Sequence, residues 1–253
     1  MNEDAFFANV AGRLGRSVRV LDGTLVGDSP EADAPLRETF GPPPFWAEYQ
    51  LSPTNRVQKF MAELASLGGS ASLFHTIESL HAALQTTLRE LGAVHVGVWG
   101  GDFAKRWQID DVLADYQRVE FGNRNLEDEN TLGDAKAFAT VDVGITGCQF
   151  AVADTGSVVL IASRTAGRVV SLLPSVHIVL LHASQIVTRM GEVWAGLAGQ
   201  RTGSQGEPWP AAVNFITGPS RSSDIENDLS IGVHGPAAVI AFVLAEGATD
   251  PTL

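Results

Sequence analysis

The 253-residue chain has a single cysteine, Cys148. One thiol excludes an intramolecular disulfide and any iron–sulfur or zinc site built from this chain's cysteines alone. Positive charge is also scarce: 17 Lys and Arg stand against 29 Asp and Glu, a formal net charge of −12. Nucleic acid and anionic lipid are gripped by clustered positive charge, so neither is an expected partner. The longest apolar run, Pro236–Ala245, falls well short of the ~20 residues that cross a bilayer. The opening residues, Met-Asn-Glu-Asp-Ala-Phe-Phe, are acidic where signal and transit peptides are basic, and a cytoplasmic location is expected. The glycine-rich nucleotide loops, the nucleophile elbow G-x-S-x-G and the zinc helix H-E-x-x-H are missing too. The six histidines are scattered, and no metal site is expected.

What is present describes a folded chain, 45% hydrophobic and only 18% charged. Six of its twelve prolines lie between Pro30 and Pro53. Before them, Phe6, Phe7, Val10 and Leu14 keep helical spacing over Glu3–Leu14. Residues 1–52 are therefore read as an N-terminal arm, a helix and then an extended proline-rich tail, and residues 53–253 as an α/β domain. In that domain Val57, Phe60, Met61, Leu64 and Leu67 mark a helix stopped by Gly68-Gly69. A second helix runs from Thr76 to Gly92 with Leu80, Leu84, Leu88 and Leu91 on one stripe. Strands are predicted at Ala71–Phe74, Val94–Trp99, His177–Leu181, Ala212–Thr217 and Val239–Leu244, with helices around Val187–Ala198 and after Ser223. This alternation is the pattern of a parallel sheet flanked by helices. Between them Val141–Thr146, Gln149–Ala153 and Ser157–Ala162 are short strands split by glycine turns, an antiparallel excursion.

Three segments differ from plain scaffold. Thr217-Gly-Pro-Ser-Arg-Ser-Ser-Asp-Ile-Glu follows a strand and offers Ser220, Arg221 and Ser222 to an anion; alternatively it is a capped turn with Arg221 paired to a carboxylate. Gly232-Val-His-Gly-Pro places His234 where the backbone can approach a ligand, or it is simply a tight loop. Asp142 and Asp154 sit beside glycines at strand ends. They suit a general base or nucleophile, although Asp-Thr-Gly is also ordinary hairpin chemistry. Arg164 and Arg168, soon after, are candidate partners for either aspartate or for a substrate carboxylate.

Asp142-Val-Gly-Ile-Thr-Gly, Ala153-Asp-Thr-Gly-Ser-Val-Val-Leu, Ser171-Leu-Leu-Pro-Ser-Val-His-Ile-Val, Gly218-Pro-Ser-Arg-Ser-Ser-Asp-Ile-Glu and Gly232-Val-His-Gly-Pro, in this order, resemble the LutC branch of the LUD family of lactate-utilization proteins. Asp154 stands where the family more often has Glu, and Ser222-Ser223 where it more often has Thr-Ala. The resemblance implies a fold like the NagB/RpiA/CoA-transferase group, with a Rossmann-like, mainly parallel sheet. It further implies one component of a three-part system oxidising L-lactate to pyruvate, whose other two members are cysteine-rich iron–sulfur proteins. With Cys148 alone, this chain reads as the cluster-free member, without a cofactor of its own. Open α/β sheets bind ligands at the carboxyl ends of their strands. One cleft holding a small anionic metabolite is therefore expected from Asp142, Arg168, Ser220, Arg221, Ser222 and Gly232, with Asp154 or His234 handling a proton. Two other functions fit the same residues: an independent enzyme of CoA-transferase or phosphorylated-metabolite type using Asp154, or a structural assembly subunit docking through its arm.

Overall fold

The computed structural model describes residues 18–21, 24–27, 49–122, 137–199, 210–223, 229–231 and 235–245. The helix expected over Glu3–Leu14, most of the proline-rich tail, and Gly232 and His234 lie outside them. The chain divides into two compact units, Met1–Pro44 and Phe45–Leu253.

In the first unit β1 (Val18–Leu21) pairs antiparallel with β2 (Thr24–Gly27), with Leu21 opposite Thr24. The two residues between them in sequence are Asp22-Gly23, the strongest short-range hairpin signal. The predicted arm of helix and extended tail therefore contains a hairpin whose four-residue strands are too short to stand out by alternation.

The second unit opens with α1 (Pro53–Ser66). Ser52 caps it by accepting from the Asn55 N–H, and Pro53 supplies a preset first turn. Val57, Phe60 and Leu64 face inward. Gly68, at φ +86°, ends the helix as its N–H reaches the Ala65 carbonyl. After β3 (Ser70–Phe74), α2 (Ile77–Glu90) is capped by Thr76 and buries Leu80, Leu84 and Leu88 completely. Then come β4 (His95–Trp99), the single turn α3 (Phe103–Arg106) and β5 (Gln117–Phe121). Next are β6 (Val143–Thr146), β7 (Phe150–Val152) and β8 (Ser157–Ile161), followed by α4 (Val169–Leu172), β9 (Val176–His182) and β10 (Ile186–Val187). The remaining elements are α5 (Met190–Gly199), β11 (Val213–Ile216), β12 (Arg221–Ser223), β13 (Leu229–Ile231) and β14 (Ala238–Leu244).

Among the described residues six strands form the main sheet in the order β3-β14-β9-β6-β4-β5, every neighbouring pair parallel. Its central strands are apolar on both faces, as a sheet covered on both sides requires. The antiparallel excursion forms a second sheet, β10-β7-β8-β11, in which β7, β8 and β11 run antiparallel and β10 joins parallel to β7. Val152, Val159, Val193 and Leu197 bury a small core between that sheet and α5.

Three local readings change. Ile186-Val187 is strand, so α5 begins at Met190 rather than Val187. The helix predicted after Ser223 is replaced at its start by the antiparallel pair β12–β13, with Ser222 opposite Ser230. Ser223 and Glu226 have capping spacing, but Asp224, Asn227 and Asp228 are equally good turn formers between two short strands. Finally, β5 escapes periodicity because it is a charged edge strand: Arg118 pairs with Asp110 at 2.6 Å and Glu120 at 2.9 Å. Charge on an edge discourages pairing with a foreign strand.

Candidate functional site

A cleft of about 660 Å³ opens at the carboxyl ends of β4, β6 and β9, three neighbouring strands of the main sheet. This is the end at which open parallel sheets bind ligands. The segment leaving β4 supplies Trp99, Gly100, Gly101, Asp102, Phe103, Arg106 and Trp107. The segment leaving β6 supplies Gly147, Cys148, Gln149 and Phe150, and the end of β9 supplies His182 and Gln185.

The walls are fixed by contacts among the lining residues and with the elements behind them. The Trp99 indole N–H donates to the Gly167 carbonyl at 3.3 Å, and its ring meets Phe103 edge-on at 5.9 Å. Trp107 stacks on His182, with centroids 4.7 Å apart and planes at 24°. The His81 Nε2 on α2 donates to the Trp107 carbonyl at 2.9 Å. The Gln185 side chain accepts from the His182 N–H at 2.7 Å and donates to the Cys148 carbonyl, stitching the ends of β9 and β6 together. Cys148 is buried, and desolvation pushes its thiol well above the ordinary range, so it stays protonated. Arg106 is exposed, and among the described residues no carboxylate pairs with it.

The residues singled out from sequence fall elsewhere. Asp142 precedes β6, at the opposite end of the sheet. One carboxylate oxygen accepts from the backbone N–H groups of His95 at 2.8 Å and Val94 at 2.9 Å. These donors, His95 first, hold its carboxyl below the usual range. Asp142 thus ties the start of β4 to the start of β6. Replacing Asp142 with alanine is expected to cost about 1–3 kcal/mol of stability, read as a lower urea midpoint. Asn, which keeps an acceptor oxygen, should lose less. Because folding lowers this pKa, the stabilisation is present above the ordinary carboxylate value and is lost as pH falls through the depressed one. An unchanged midpoint in the alanine variant would contradict this role.

Asp154 lies in the β7–β8 turn, where it accepts from the Tyr49 hydroxyl at 3.3 Å and lies 3.4 Å from the Arg189 guanidinium. That guanidinium also sits over the Tyr49 ring, 4.2 Å from its centroid. Gly156, at φ +61°, presses the turn against α1: a Cβ there would come within 2.4 Å of the Leu64 backbone nitrogen. Arg221 packs near the end of the same helix. The Ser220 N–H donates to the Pro236 carbonyl at 2.9 Å, and Arg221 donates to the Leu67 carbonyl. A hydroxyl chain joins the two motifs, Thr155 to Ser157 at 2.8 Å and Ser157 to Thr217 at 2.7 Å. The structure therefore brings the Asp154 and Arg221 motifs together along α1 but places Asp142 apart from them. Arg168 is exposed at the start of α4. None of these residues lines the cleft at the ends of β4, β6 and β9. Of Ser222 only the backbone is described, in β12.

The cleft residues were missed because their signal is topological. Gly100-Gly101 after an apolar strand, followed by Asp102, Arg106 and Trp107, marks the carboxyl end of β4, but only the strand order shows that β6 and β9 end beside it.

The parallel α/β domain, with its antiparallel side sheet and the cleft at its strand ends, coincides with a match to the LUD domain family. Residues 57–244 match that family's description, and the chain belongs to the LUD domain family. Lactate utilization protein C of Geobacillus sp. (strain WCH70) is 31% identical over 258 residues, covering 97% of this chain and 96% of that protein. The protein of the same name from Bacillus licheniformis is 29% identical over 256 residues, covering 97% and 96%. That of Bacillus velezensis is 46% identical over 103 residues, covering 41% of this chain and 42% of that protein. A crystal structure of a DUF162 family protein from Deinococcus radiodurans shares the fold, with a TM-score of 0.54 and 21% identity over 77% of this chain and 99% of that one. Among the described residues no helix is long and apolar enough to cross a membrane.

Proposed function

We propose that this chain is a lactate-utilization component: the cluster-free member of a three-part system that oxidises L-lactate to pyruvate beside two cysteine-rich iron–sulfur proteins. The observation that carries this reading is the end-to-end match to proteins named Lactate utilization protein C. The chemistry of the one cysteine agrees with it, since cluster ligands are thiolates and Cys148 is a buried, protonated thiol. The reading places a small anionic ligand in the cleft at the strand ends, with Arg106 as the cation that holds it. Asp154 lies outside that cleft, bound to Tyr49 and beside Arg189, so the cleft does not support the alternative in which Asp154 itself acts as a CoA-transferase-type nucleophile.

The test is a gentle affinity purification of the tagged chain from lactate-grown cells. Two cysteine-rich partners, with lactate oxidation in the assembled eluate and none in the isolated chain, are the expected result. A solitary chain, or one that oxidises lactate alone, would overturn the reading.

A further inference from the structure

The cleft is larger than a small hydroxy acid needs. Its volume lies within the ~300–1,000 Å³ of pockets that enclose ligands much larger than lactate. Its walls are rich in ring faces and edges: Trp99, Phe103, Trp107, Phe150 and His182 all line it. The Trp107–His182 stack and the Trp99 hydrogen bond hold three of these rings in place before any ligand arrives, so little ordering is needed on binding. Arg106 is a single exposed cation on the same wall as Trp107, in a protein of net charge −12, with no carboxylate of the described residues paired to it. Rings stack on rings, and a guanidinium takes a carboxylate or phosphate through paired N–H donors. We propose that the cleft binds a flat heteroaromatic ring bearing an anionic group, with the ring beside the Trp107–His182 pair and the anion at Arg106.

The proposal rests on the cleft being the ligand site, and not on the lactate role. Its test is calorimetric titration of the full chain with three anion-bearing rings, FMN, nicotinamide mononucleotide and AMP. Each is run beside its form without phosphate: riboflavin, nicotinamide riboside and adenosine. Inorganic phosphate, L-lactate and pyruvate complete the series. At least one phosphorylated ring is expected to bind about tenfold or more tightly than its phosphate-free form. Arg106→Gln should remove that margin while leaving the phosphate-free form within about twofold of its original affinity. Arg106 is exposed, so this variant leaves the core untouched. Three outcomes overturn the proposal: no ring binds at millimolar concentration, the margin survives Arg106→Gln, or inorganic phosphate binds as tightly as the best nucleotide. Saturable lactate or pyruvate binding lost in Arg106→Gln, with no ring bound, would leave the cleft as a small-anion site and reject the ring. Ring binding without co-purifying iron–sulfur partners would reject the lactate reading and keep this one.

Discussion

Replacing Gly144 with alanine is expected to lower stability by about 3 kcal/mol or more, enough to leave much of the protein unfolded. Gly144 lies in the middle of β6, bound to β4 on one side and β9 on the other. A Cβ there would stand 1.8 Å from the Val170 carbonyl oxygen of α4 and 3.0 Å from the Pro174 ring. Both obstacles are short-tethered groups, and neither sheet neighbour lets β6 retreat. Gly92 provides the contrast. It has open space around its Cβ position but a φ of +62°, so alanine there should cost only about 1 kcal/mol of backbone strain. Urea midpoints of the two variants check the ordering, and equal losses would contradict the packing argument. The glycine in Asp142-Val-Gly-Ile-Thr-Gly is thus required by the approach of α4, and its neighbour Asp142 by the joining of two strands. A motif that carries family resemblance is here explained by the fold.

The second large effect concerns His177, a fully buried residue near the start of β9. Its Nε2 shares a hydrogen bond of 2.8 Å with the Thr146 hydroxyl, while among the described residues its Nδ1 has no partner. Burial lowers its pKa from the ordinary 6.5 to about 4. The unfolded chain therefore takes up a proton between these values that the folded chain refuses. Stability attributable to this group is intact above pH 6.5 and declines as pH falls towards 4, by about 3 kcal/mol across the window. Exposed carboxylates titrate nearby, so the comparison needs a variant lacking only this pair. His177→Leu with Thr146→Val removes both polar partners together and leaves no stranded hydroxyl. Its urea midpoint should fall less steeply between pH 7 and pH 4 than that of the original protein. Equal slopes would show that His177 takes up its proton as readily in the folded chain as in the unfolded one.

The helices that could be read from sequence were those whose local signals agree. Ser52 and Thr76 cap, the leucine stripes face inward, and Gly68 and Gly92 stop α1 and α2 near the expected places. The central strands were legible because a sheet buried on both faces selects unbroken apolar runs. What could not be read depends on spatial partners. The β5 strand hides behind charges that suit an edge, and Ser223 serves a strand because Leu229–Ile231 is there to pair with it. At the site, the general rule about strand ends points to the end of the sheet where the cleft opens. The glycine- and serine-rich motifs drew attention instead to Asp142 at the other end and to Asp154 and Arg221 along α1. Trp107, Arg106 and His182 become a group only when β4, β6 and β9 are known to lie side by side.

The strand order also constrains how the chain is made. Among the described residues β3, near the start of the domain, pairs only with β14, the last strand in sequence, which also covers the open edge of β9. During synthesis β3 must wait unpaired, and β9, already paired with β6, with one edge open, for Ala238–Leu244 to leave the ribosome. Contacts so distant in sequence form slowly, and waiting strand edges are open to wrong partners. A chain released before Ala238 keeps the cleft-bearing strands β4, β6 and β9 but leaves two edges bare, making premature termination more hazardous here than in a fold that closes as it emerges.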